Sequence, residues 1–564
     1  MPCNSTCKLH EAWWDCPEGS EVFPSLWQQG GAIDLASDKK GLWQRGSQTV
    51  GTAVRVLIER LTMCMVLALC GRGLAGSCAP CVLMMAEPCS CTACGADVGR
   101  TRRRGVTVPY PEAVRSMVTR VVGNAGSSSN ARCACGEVHG IPTALVVIEE
   151  RAIEQLVGYV KERSWSRPFV VMDANTEEAA GGQVIGELAR AGTHVTSFCF
   201  PERDGLLANE TSVTRLHEAL KDSSADSIVA VGSGVITDTT RYVANLLKSE
   251  FVSVPTAASM DGYASNLAVM EFGGMKTSFP VAPPVAIFAD PRTIAAAPLD
   301  MTRTGLGDLL GKASAHVDWL ASHGLYGERF CPVVERRVTG PLVHAATHAE
   351  DIIGGSLDAV SGFLSGLVES GIAMAMIGNS RPASGCEHHA SHFWDQLAAS
   401  GRRHHTPHGF QVGYATHFAM RLQRYAFGGG ISELAPPSPI TPEGDEARSW
   451  YSGHSAEVDA VMEEKVRFLG EHACAWPTTS SRWQAVQDQI GEAMAVFPLI
   501  SKALSVARIP SEPGFLGLDA QTLRATFRWA NRIRARYTVL DFLEGQERLD
   551  AAIDGMFPPV PTSS

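Results

Sequence analysis

Short β-branched apolar runs alternate with helical patterns between residues 143 and 298, and this alternation constrains the fold more than any other feature of the chain. Six such runs occur, ALVVI (144–148), PFVVM (168–172), HVTSFCF (194–200), SIVAV (227–231), FVSVP (251–255) and VAIFA (285–289). Helical patterns lie between them at 150–163, 176–192, 211–221 and 236–248. Buried apolar strands that alternate with helices are typical of a mainly parallel sheet with helices on both faces. We therefore predict an α/β domain over residues 131–298.

Strand patterns disappear after Pro298, and long helical patterns replace them. They cover residues 301–322, 332–348, 356–377, 388–399, 409–425, 455–469, 481–497 and 518–543. A chain of 564 residues is too long for one hydrophobic core, so we predict a second, all-helical domain over residues 299–556. Clefts between domains are common places for small-molecule sites.

The first 130 residues differ from the rest in cysteine content, because 12 of the 16 cysteines lie at or before Cys135. The patterns CAPC (78–81) and CSCTAC (89–94) hold thiols at spacings that zinc can use, but the second is irregular and no histidine lies nearby. The apolar stretch 61–86 is interrupted by Arg72 and several glycines, which disfavours a membrane span. We expect residues 1–130 to be a poorly structured extension, either disordered or wrongly assigned to the chain.

Charge and cysteine usage bear on the partners and the compartment. The formal net charge is −11 and no long basic stripe occurs, which argues against a nucleic-acid partner. The four later cysteines, Cys199, Cys331, Cys386 and Cys474, are too scattered for a disulfide framework, which is typical of a reducing compartment. We therefore expect a cytoplasmic protein without a membrane partner, and a homo-oligomer is an open alternative to a monomer.

Two consecutive predicted strands end in loops of small polar residues. GSG (232–234) follows one strand and opens a helix, so its backbone N–H groups could approach a pyrophosphate, although an ordinary tight turn has the same sequence. PTAASMDGYAS (255–265) follows the next strand and contributes hydroxyls and the carboxylate of Asp261. Since ligands of open α/β sheets bind beyond the carboxyl ends of the strands, the two loops together favour a nucleotide site.

The helical domain carries candidate metal ligands. His388 and His392 lie one helical turn apart in GCEHHASHFWD, and His408 precedes another predicted helix. Asp308 lies in TGLGDLLGK, near the start of the first helix of this domain. One aspartate and two histidines suit a divalent ion that keeps open positions. Taken singly, each histidine is more often a surface or core residue than a ligand.

Seven stretches, in order along the chain, resemble the sn-glycerol-1-phosphate dehydrogenase family of the superfamily that contains iron alcohol dehydrogenases and dehydroquinate synthases. They are GSGVITD (232–238), SVPTAASMDGYAS (253–265), KTSFPVAPP (276–284), FADP (288–291), GLGDLLGK (305–312), CEHHASHFWD (386–395) and HGFQVG (408–413). LRATFRWANRIRARYTVLDFLE (523–544) looks like the bacterial-type branch of that family. The resemblance covers about residues 133 to 550.

The resemblance implies an enzyme of phospholipid metabolism that interconverts dihydroxyacetone phosphate and glycerol 1-phosphate with NAD or NADP and one divalent ion of zinc, nickel or iron. It implies that Asp308, His388 and His408 bind the metal. Asp261 and His392 would contact the phosphorylated substrate together with Asp308, and Lys276 is a further candidate for its phosphate. The residues implied for the dinucleotide are Asp173 at the adenosine end, Gly234, Val235, Ile236, Thr237, Asp238, Thr256, Ala257, Ala258, Ser259 and Ser265.

Three alternatives remain open. Dehydroquinate synthase carries a DSSVGGK-type loop and a glutamate ligand where this chain has ASMDGYASNLA and Asp308, and glycerol dehydrogenase lacks MDGYAS. A catalytically silent paralogue is expected to have lost a metal ligand, yet Asp308, His388 and His408 are all present. GSGV stands where archaeal members have a GGGK-type loop, which leaves the preference between NAD and NADP open.

Overall fold

The computed structural model describes residues 121–122, 132–133, 135–429, 434–438, 445–451 and 454–558. The two cysteine patterns and the apolar stretch of the predicted extension lie outside these residues. Of that extension, Val121 and Val122 are described, and they form a short strand.

Nine strands are described, seven of them in one sheet. Their bounds are β1 Val121–Val122, β2 Leu145–Ile148, β3 Pro168–Asp173, β4 Thr196–Phe200, β5 Ser227–Gly232, β6 Phe251–Pro255, β7 Leu267–Phe272, β8 Met275–Pro280 and β9 Ala286–Ala289. The sheet has the order β1-β2-β9-β6-β5-β3-β4. All pairs are parallel except β1 with β2. The six strands predicted between residues 143 and 298 are confirmed.

Helices cover both faces of this sheet. Those of six or more residues in the α/β part are α1 Ala152–Glu162, α2 Gly182–Arg190, α3 Glu210–Lys221, α4 Gly234–Leu247 and α5 Pro291–Ala296. Alternate residues of β3 and β5 enter two separate cores, one shared with α1 and α2 and the other with α3 and α4. Because both faces are buried, these strands read as continuous apolar runs rather than as alternating ones.

A hairpin of β7 and β8 was not predicted. The two strands pair in antiparallel fashion from Leu267↔Pro280 to Phe272↔Met275. Gly273 and Gly274 turn the chain with φ of 57° and 77°, a conformation that favours glycine. A Gly-Gly pair between two apolar runs was the available signal for this hairpin.

The rest of the described chain is helical, as predicted. Its helices are α6 Leu299–Tyr326, α7 Pro332–Thr347, α8 Ala349–Ile353, α9 Leu357–Ile377, α10 Cys386–Ala399, α11 His408–Phe427, α12 Asp445–Trp450, α13 Ser455–Glu471, α14 Ser480–Met494, α15 Phe497–Val506, α16 Ala520–Trp529, α17 Val539–Gly545 and α18 Leu549–Met556. One large apolar core joins them and extends to β2 and β9.

The single helix predicted over residues 518–543 is wrong. Helix α16 ends at Trp529, a short 3-10 turn follows, and α17 starts again at Val539. Thr538 and Asp541 form a capping box at the start of α17, where the Thr538 N–H donates to Asp541 Oδ2 over 2.8 Å. The chain between the two helices is therefore a loop over residues 533–538.

Helix α9 is long and apolar enough, by length and composition, to cross a membrane, and no other helix of the described residues is. Of its most apolar window, 72% is buried inside the protein. The backbone of Gly366 packs against Pro341 of α7, and Gly371 against the loop that contains Asp261. The helix therefore lies within the core of the helical part and borders the candidate site.

Candidate active site

The three predicted metal ligands meet at one point. Asp308 lies in the third turn of α6, His388 in the first turn of α10, and His408 is the first residue of α11. One ligand atom from each residue lies within 4.8 Å of the other two. His388 Nε2 lies 3.6 Å from Asp308 Oδ1, and such ligands on one tetrahedral zinc ion are about 3.4 Å apart. One carboxylate and two imidazoles at this spacing fit a single divalent ion with open coordination positions.

Glycines bring the elements of this site close together. A Cβ atom on Gly305 would lie 1.9 Å from the carbonyl oxygen of Ala258, and one on Gly409 would lie 1.8 Å from that of Thr304. Any side chain there would push α6 away from the loop after β6 or from α11. Two of the three ligands lie within three residues of one of these glycines, so the close packing fixes their positions.

Neighbouring polar groups orient both imidazoles. His388 Nδ1 lies 2.8 Å from Glu387 Oε1, and the Gly385 N–H donates to the same oxygen over 2.7 Å. His408 Nδ1 lies 3.0 Å from the Ser391 hydroxyl. Each ring therefore keeps its Nε2 atom for the shared site, as is common among histidines that bind metals.

Lys312 is a buried cation between two carboxylates of the site, and sequence reasoning missed its role. Its ammonium lies 2.6 Å from Asp308 Oδ1 and 3.0 Å from Asp261 Oδ2. Burial alone would lower the pKa of Lys312, but the two carboxylates raise it above its ordinary value. Burial and the charge of Asp308 raise the pKa of the Asp261 carboxyl. Two acidic groups thus share one fixed cation, so the charge balance of the site still allows a further positive charge.

Burial keeps the histidines of the site neutral. Burial is the largest cause of the lowered pKa values of these rings. The pKa of His392 and that of His408 fall to about 3, and the pKa of His388 falls well below its ordinary value. Nearby cations act in the same direction. Neutral imidazole is the form that binds metal ions.

One cavity of about 590 Å³ joins the two polar strand ends to the predicted metal ligands. The predicted site residues that line it are Gly234, Val235, Asp238, Ser259, Asp261, Ser265, Asp308, His388, His392 and His408. The side chain of Lys276 from β8 also reaches it. The cavity therefore lies between the carboxyl end of the sheet and the helical part.

The two polar loops are neighbours because Gly232 and Pro255 pair at the ends of β5 and β6. The Ser233 side chain makes no capping hydrogen bond to α4, so the first N–H groups of this helix are free to meet an anion. Arg241 of α4 fixes the second loop, because its guanidinium donates to the Tyr263 carbonyl over 3.0 Å. This geometry suits the pyrophosphate of a dinucleotide.

Six residues implied for the dinucleotide do not line the cavity: Asp173, Ile236, Thr237, Thr256, Ala257 and Ala258. Asp173 ends β3, and its Oδ1 accepts hydrogen bonds of 2.9 Å from the N–H groups of Asn175 and Thr176. The other five are buried in the first turn of α4 or in the loop after β6. Their contact with a dinucleotide stays a prediction.

Sequence reasoning also missed Arg534, which lines the cavity from the loop between α16 and α17. Its Nη2 lies 3.4 Å from Ser278 Oγ and 3.4 Å from His392 Nε2. Lys276 lies on the same side and pairs with Asp395 over 3.1 Å. The signal in the sequence was RIRAR (532–536), because arginines at every second position do not share a helix face.

Comparison with known proteins extends these observations. Residues 147–298 match the family model described as iron-containing alcohol dehydrogenase. The chain is 28% identical to glycerol-1-phosphate dehydrogenase, NAD(P)+, of Geobacillus stearothermophilus over 419 residues, which are 73% of this chain and 95% of that protein. It is 35% identical to the protein of the same name from Halalkalibacterium halodurans over 289 residues, which are 50% of this chain and 72% of that protein.

A solved structure shares the fold. The crystal structure of a 1,3-propanediol oxidoreductase superposes with a TM-score of 0.50 and 16% identity, covering 73% of this chain and 97% of that one. At this identity the similarity concerns the fold alone. The predicted fold class, a parallel α/β part followed by an all-helical part, is confirmed.

Proposed function

Because the chain belongs to the glycerol-1-phosphate dehydrogenase family, we propose that it interconverts dihydroxyacetone phosphate and sn-glycerol 1-phosphate by hydride transfer. Membership makes the chain an oxidoreductase that uses a nicotinamide dinucleotide and a divalent metal ion. The identity of the phosphorylated substrate and the roles of single residues are the proposal.

The position of Arg534 in the cavity, without an acidic partner among the described residues, is the observation that favours a phosphorylated substrate. Its guanidinium lines the cavity beside His392, and burial lowers its pKa. Among the described residues, no acidic side chain pairs with it. A desolvated cation without a counterion is costly. A phosphate group would supply both the negative charge and two acceptor oxygens for parallel N–H groups of the planar guanidinium. An uncharged alcohol would supply neither.

Asp308, His388 and His408 are the residues that would hold the metal, since their donor atoms converge and both imidazoles are neutral. The ion, when bound, acts as a Lewis acid toward the carbonyl or hydroxyl oxygen of the substrate. Lys312 contacts Asp308 Oδ1 over 2.6 Å and holds this side chain at a fixed position beside the two imidazoles.

Asp261 is our candidate for the residue that exchanges a proton with the substrate oxygen. Ser370 and Lys312 both contact its Oδ2, over 2.8 Å and 3.0 Å, which leaves Oδ1 for the cavity that the residue lines. A carboxyl group with a raised pKa can hold a proton closer to neutral pH than an ordinary aspartate. His392 is neutral and its Nε2 faces Arg534, so we assign it the orientation of that guanidinium rather than proton transfer.

The dinucleotide is proposed to lie along the carboxyl ends of β5 and β6. Its pyrophosphate would meet residues 234–238 and 256–259, with Ser265 close to the nicotinamide. Asp173 would contact the adenosine end, because β3 lies next to β5 and the strand order reverses there. This placement brings the nicotinamide near the metal ligands, as hydride transfer requires.

The test is reduction of dihydroxyacetone phosphate against dihydroxyacetone, with NADH and with NADPH, by metal-loaded protein. We expect kcat/KM to favour the phosphorylated substrate by at least about 10-fold, the effect of one hydrogen bond to a charged group. Equal use of the two substrates would indicate a glycerol dehydrogenase instead. Reduction of neither, by protein that retains its metal, would indicate a catalytically silent chain.

A further inference from the structure

A second cluster of metal-ligand side chains lies outside the cavity. Cys133, Cys135, His139 and Cys331 each offer one ligand atom, and these four atoms lie within 4.8 Å of one another. Cys331 is fully buried, and the other three are partly buried. The sequence suggested that Cys331 is a scattered thiol. The fold instead brings it next to the segment before β2.

The spacing of these atoms is close to that around one tetrahedral ion. Cys133 Sγ lies 3.6 Å from Cys331 Sγ, and His139 Nε2 lies 3.1 Å from Cys135 Sγ and 3.2 Å from Cys331 Sγ. Around a zinc ion with its usual bond lengths, two sulfurs are about 3.8 Å apart, and a sulfur and a nitrogen about 3.6 Å. Shifts of a few tenths of an ångström would admit the ion.

Other contacts prepare two of the ligands. His139 Nδ1 lies 3.0 Å from the Met376 carbonyl oxygen, so this nitrogen donates and Nε2 is left to face the thiols. Cys331 directly precedes α7, and the backbone N–H groups of Val333 and Val334 form hydrogen bonds to its sulfur. Burial raises the pKa of the free Cys331 thiol to about 12, but these N–H groups would support the negative charge of a thiolate bound to a metal ion.

We propose that Cys133, Cys135, His139 and Cys331 bind a structural zinc ion, separate from the catalytic metal. Three thiolates and one imidazole fill a tetrahedral shell, so no position remains for a substrate, as is typical of structural zinc sites. None of the four residues lines the active-site cavity. The ion would bind with loss of three thiol protons and without any change of oxidation state.

The site would join three separate parts of the chain. Residues 135–139 lead toward β2 at one side of the sheet, Cys331 lies between α6 and α7, and Met376 lies near the end of α9. Around the cluster, Trp319, Val334 and Ile377 form a small apolar core of their own. Zinc at this place would attach the segment before the sheet to the helical part.

The test uses Co2+ as the probe, because thiolate-to-cobalt charge transfer gives strong near-ultraviolet absorption and the active-site donors contain no sulfur. The full chain carries His388→Ala, which weakens the catalytic site, and serine in place of the CAPC and CSCTAC cysteines, Cys78, Cys81, Cys89, Cys91 and Cys94. This protein, called His388→Ala protein below, is stripped of metal under reducing conditions and titrated with Co2+. We expect one equivalent of cobalt with strong charge-transfer absorption, displaced by Zn2+. Adding Cys133→Ser should abolish or strongly weaken this absorption, whereas the exposed Cys474→Ser should leave it unchanged.

Two results would overturn the proposal. One is the absence of charge-transfer absorption in soluble, folded His388→Ala protein, or its persistence in full strength in both the Cys133→Ser and the Cys135→Ser variants. The other is recovery of Cys133 and Cys331 as one disulfide-linked pair from protein alkylated before digestion. Zinc analysis of protein purified without added metal supplies an independent readout, with one equivalent expected in His388→Ala and none after Cys133→Ser is added.

Discussion

Replacement of Arg534 by methionine should weaken the handling of phosphorylated substrate without harming the fold. The methionine keeps a long apolar side chain in the cavity wall but removes the cation that we assign to the phosphate. A hydrogen bond to a charged group contributes about 1.5–3 kcal/mol. We therefore expect kcat/KM for dihydroxyacetone phosphate to fall by about 10- to 150-fold, chiefly through a higher KM, with weaker inhibition by inorganic phosphate.

The same substitution should not lower the stability of the protein. Arg534 has contacts of 3.4 Å with Ser278 and His392, and it has no acidic partner in the described chain. Removal of its desolvation cost should leave the free energy of unfolding unchanged or raise it by up to about 2 kcal/mol. Urea denaturation measures this change alongside the kinetics.

Arg528→Met is the matched control, because Arg528 pairs with Asp550 at the surface over 3.2 Å. It should change neither the kinetics nor the stability by more than about 1 kcal/mol. The reasoning fails if Arg534→Met leaves the KM for dihydroxyacetone phosphate unchanged. It also fails if that variant loses activity only in proportion to a loss of folded protein.

Three further perturbations test the fold. Gly409→Ala places a Cβ atom 1.8 Å from the Thr304 carbonyl oxygen. It should therefore lower the free energy of unfolding, measured in urea, by about 1–3 kcal/mol. The control Gly491→Ala adds its Cβ atom in open space within a helix and should raise the free energy of unfolding by up to about 1 kcal/mol. Burial lowers the pKa of His316 to about 4, below its unfolded value of about 6.5, so stability that is present above pH 6.5 is lost as the pH falls toward 4. His316→Phe should reduce this loss of unfolding free energy with falling pH by up to about 1.4 kcal/mol per pH unit. Urea denaturation at several pH values measures the slope, and an unchanged slope would contradict the assignment. A chain that starts at Ala131 should remain soluble and active, because the only described residues that it lacks are the two of β1. Insoluble protein would count against this expectation.

The α/β part was predictable because its central strands β3, β5 and β6 are buried on both faces. Each of these three therefore reads as a continuous apolar run, and helical patterns follow β3 and β5. The order of the strands was not predictable, because pairing depends on contacts between distant segments. The β7–β8 hairpin escaped because its strands are half-buried and their pattern is weak.

The candidate metal ligands stood out in the sequence as residue types, and their meeting at one point followed from the family resemblance, not from the residue pattern alone. Asp308, His388 and His408 lie on three helices, and the close approach of those helices depends on glycines that only the fold shows to be in contact. Arg534 was hidden because an amphipathic pattern on either side suggested one continuous helix. Cys331 was hidden because its partners lie about 200 residues earlier in the chain.

Oxidation of the two enantiomers of glycerol phosphate tests the central claim most directly. Protein reconstituted with Zn2+, Ni2+ or Fe2+ is assayed with sn-glycerol 1-phosphate and sn-glycerol 3-phosphate, in the presence of NAD+ or NADP+, beside the His388→Ala variant. We predict turnover of the 1-phosphate alone, with loss of both activity and active-site metal in folded His388→Ala protein. Equal turnover of the two enantiomers, or full activity in that variant, would contradict the account.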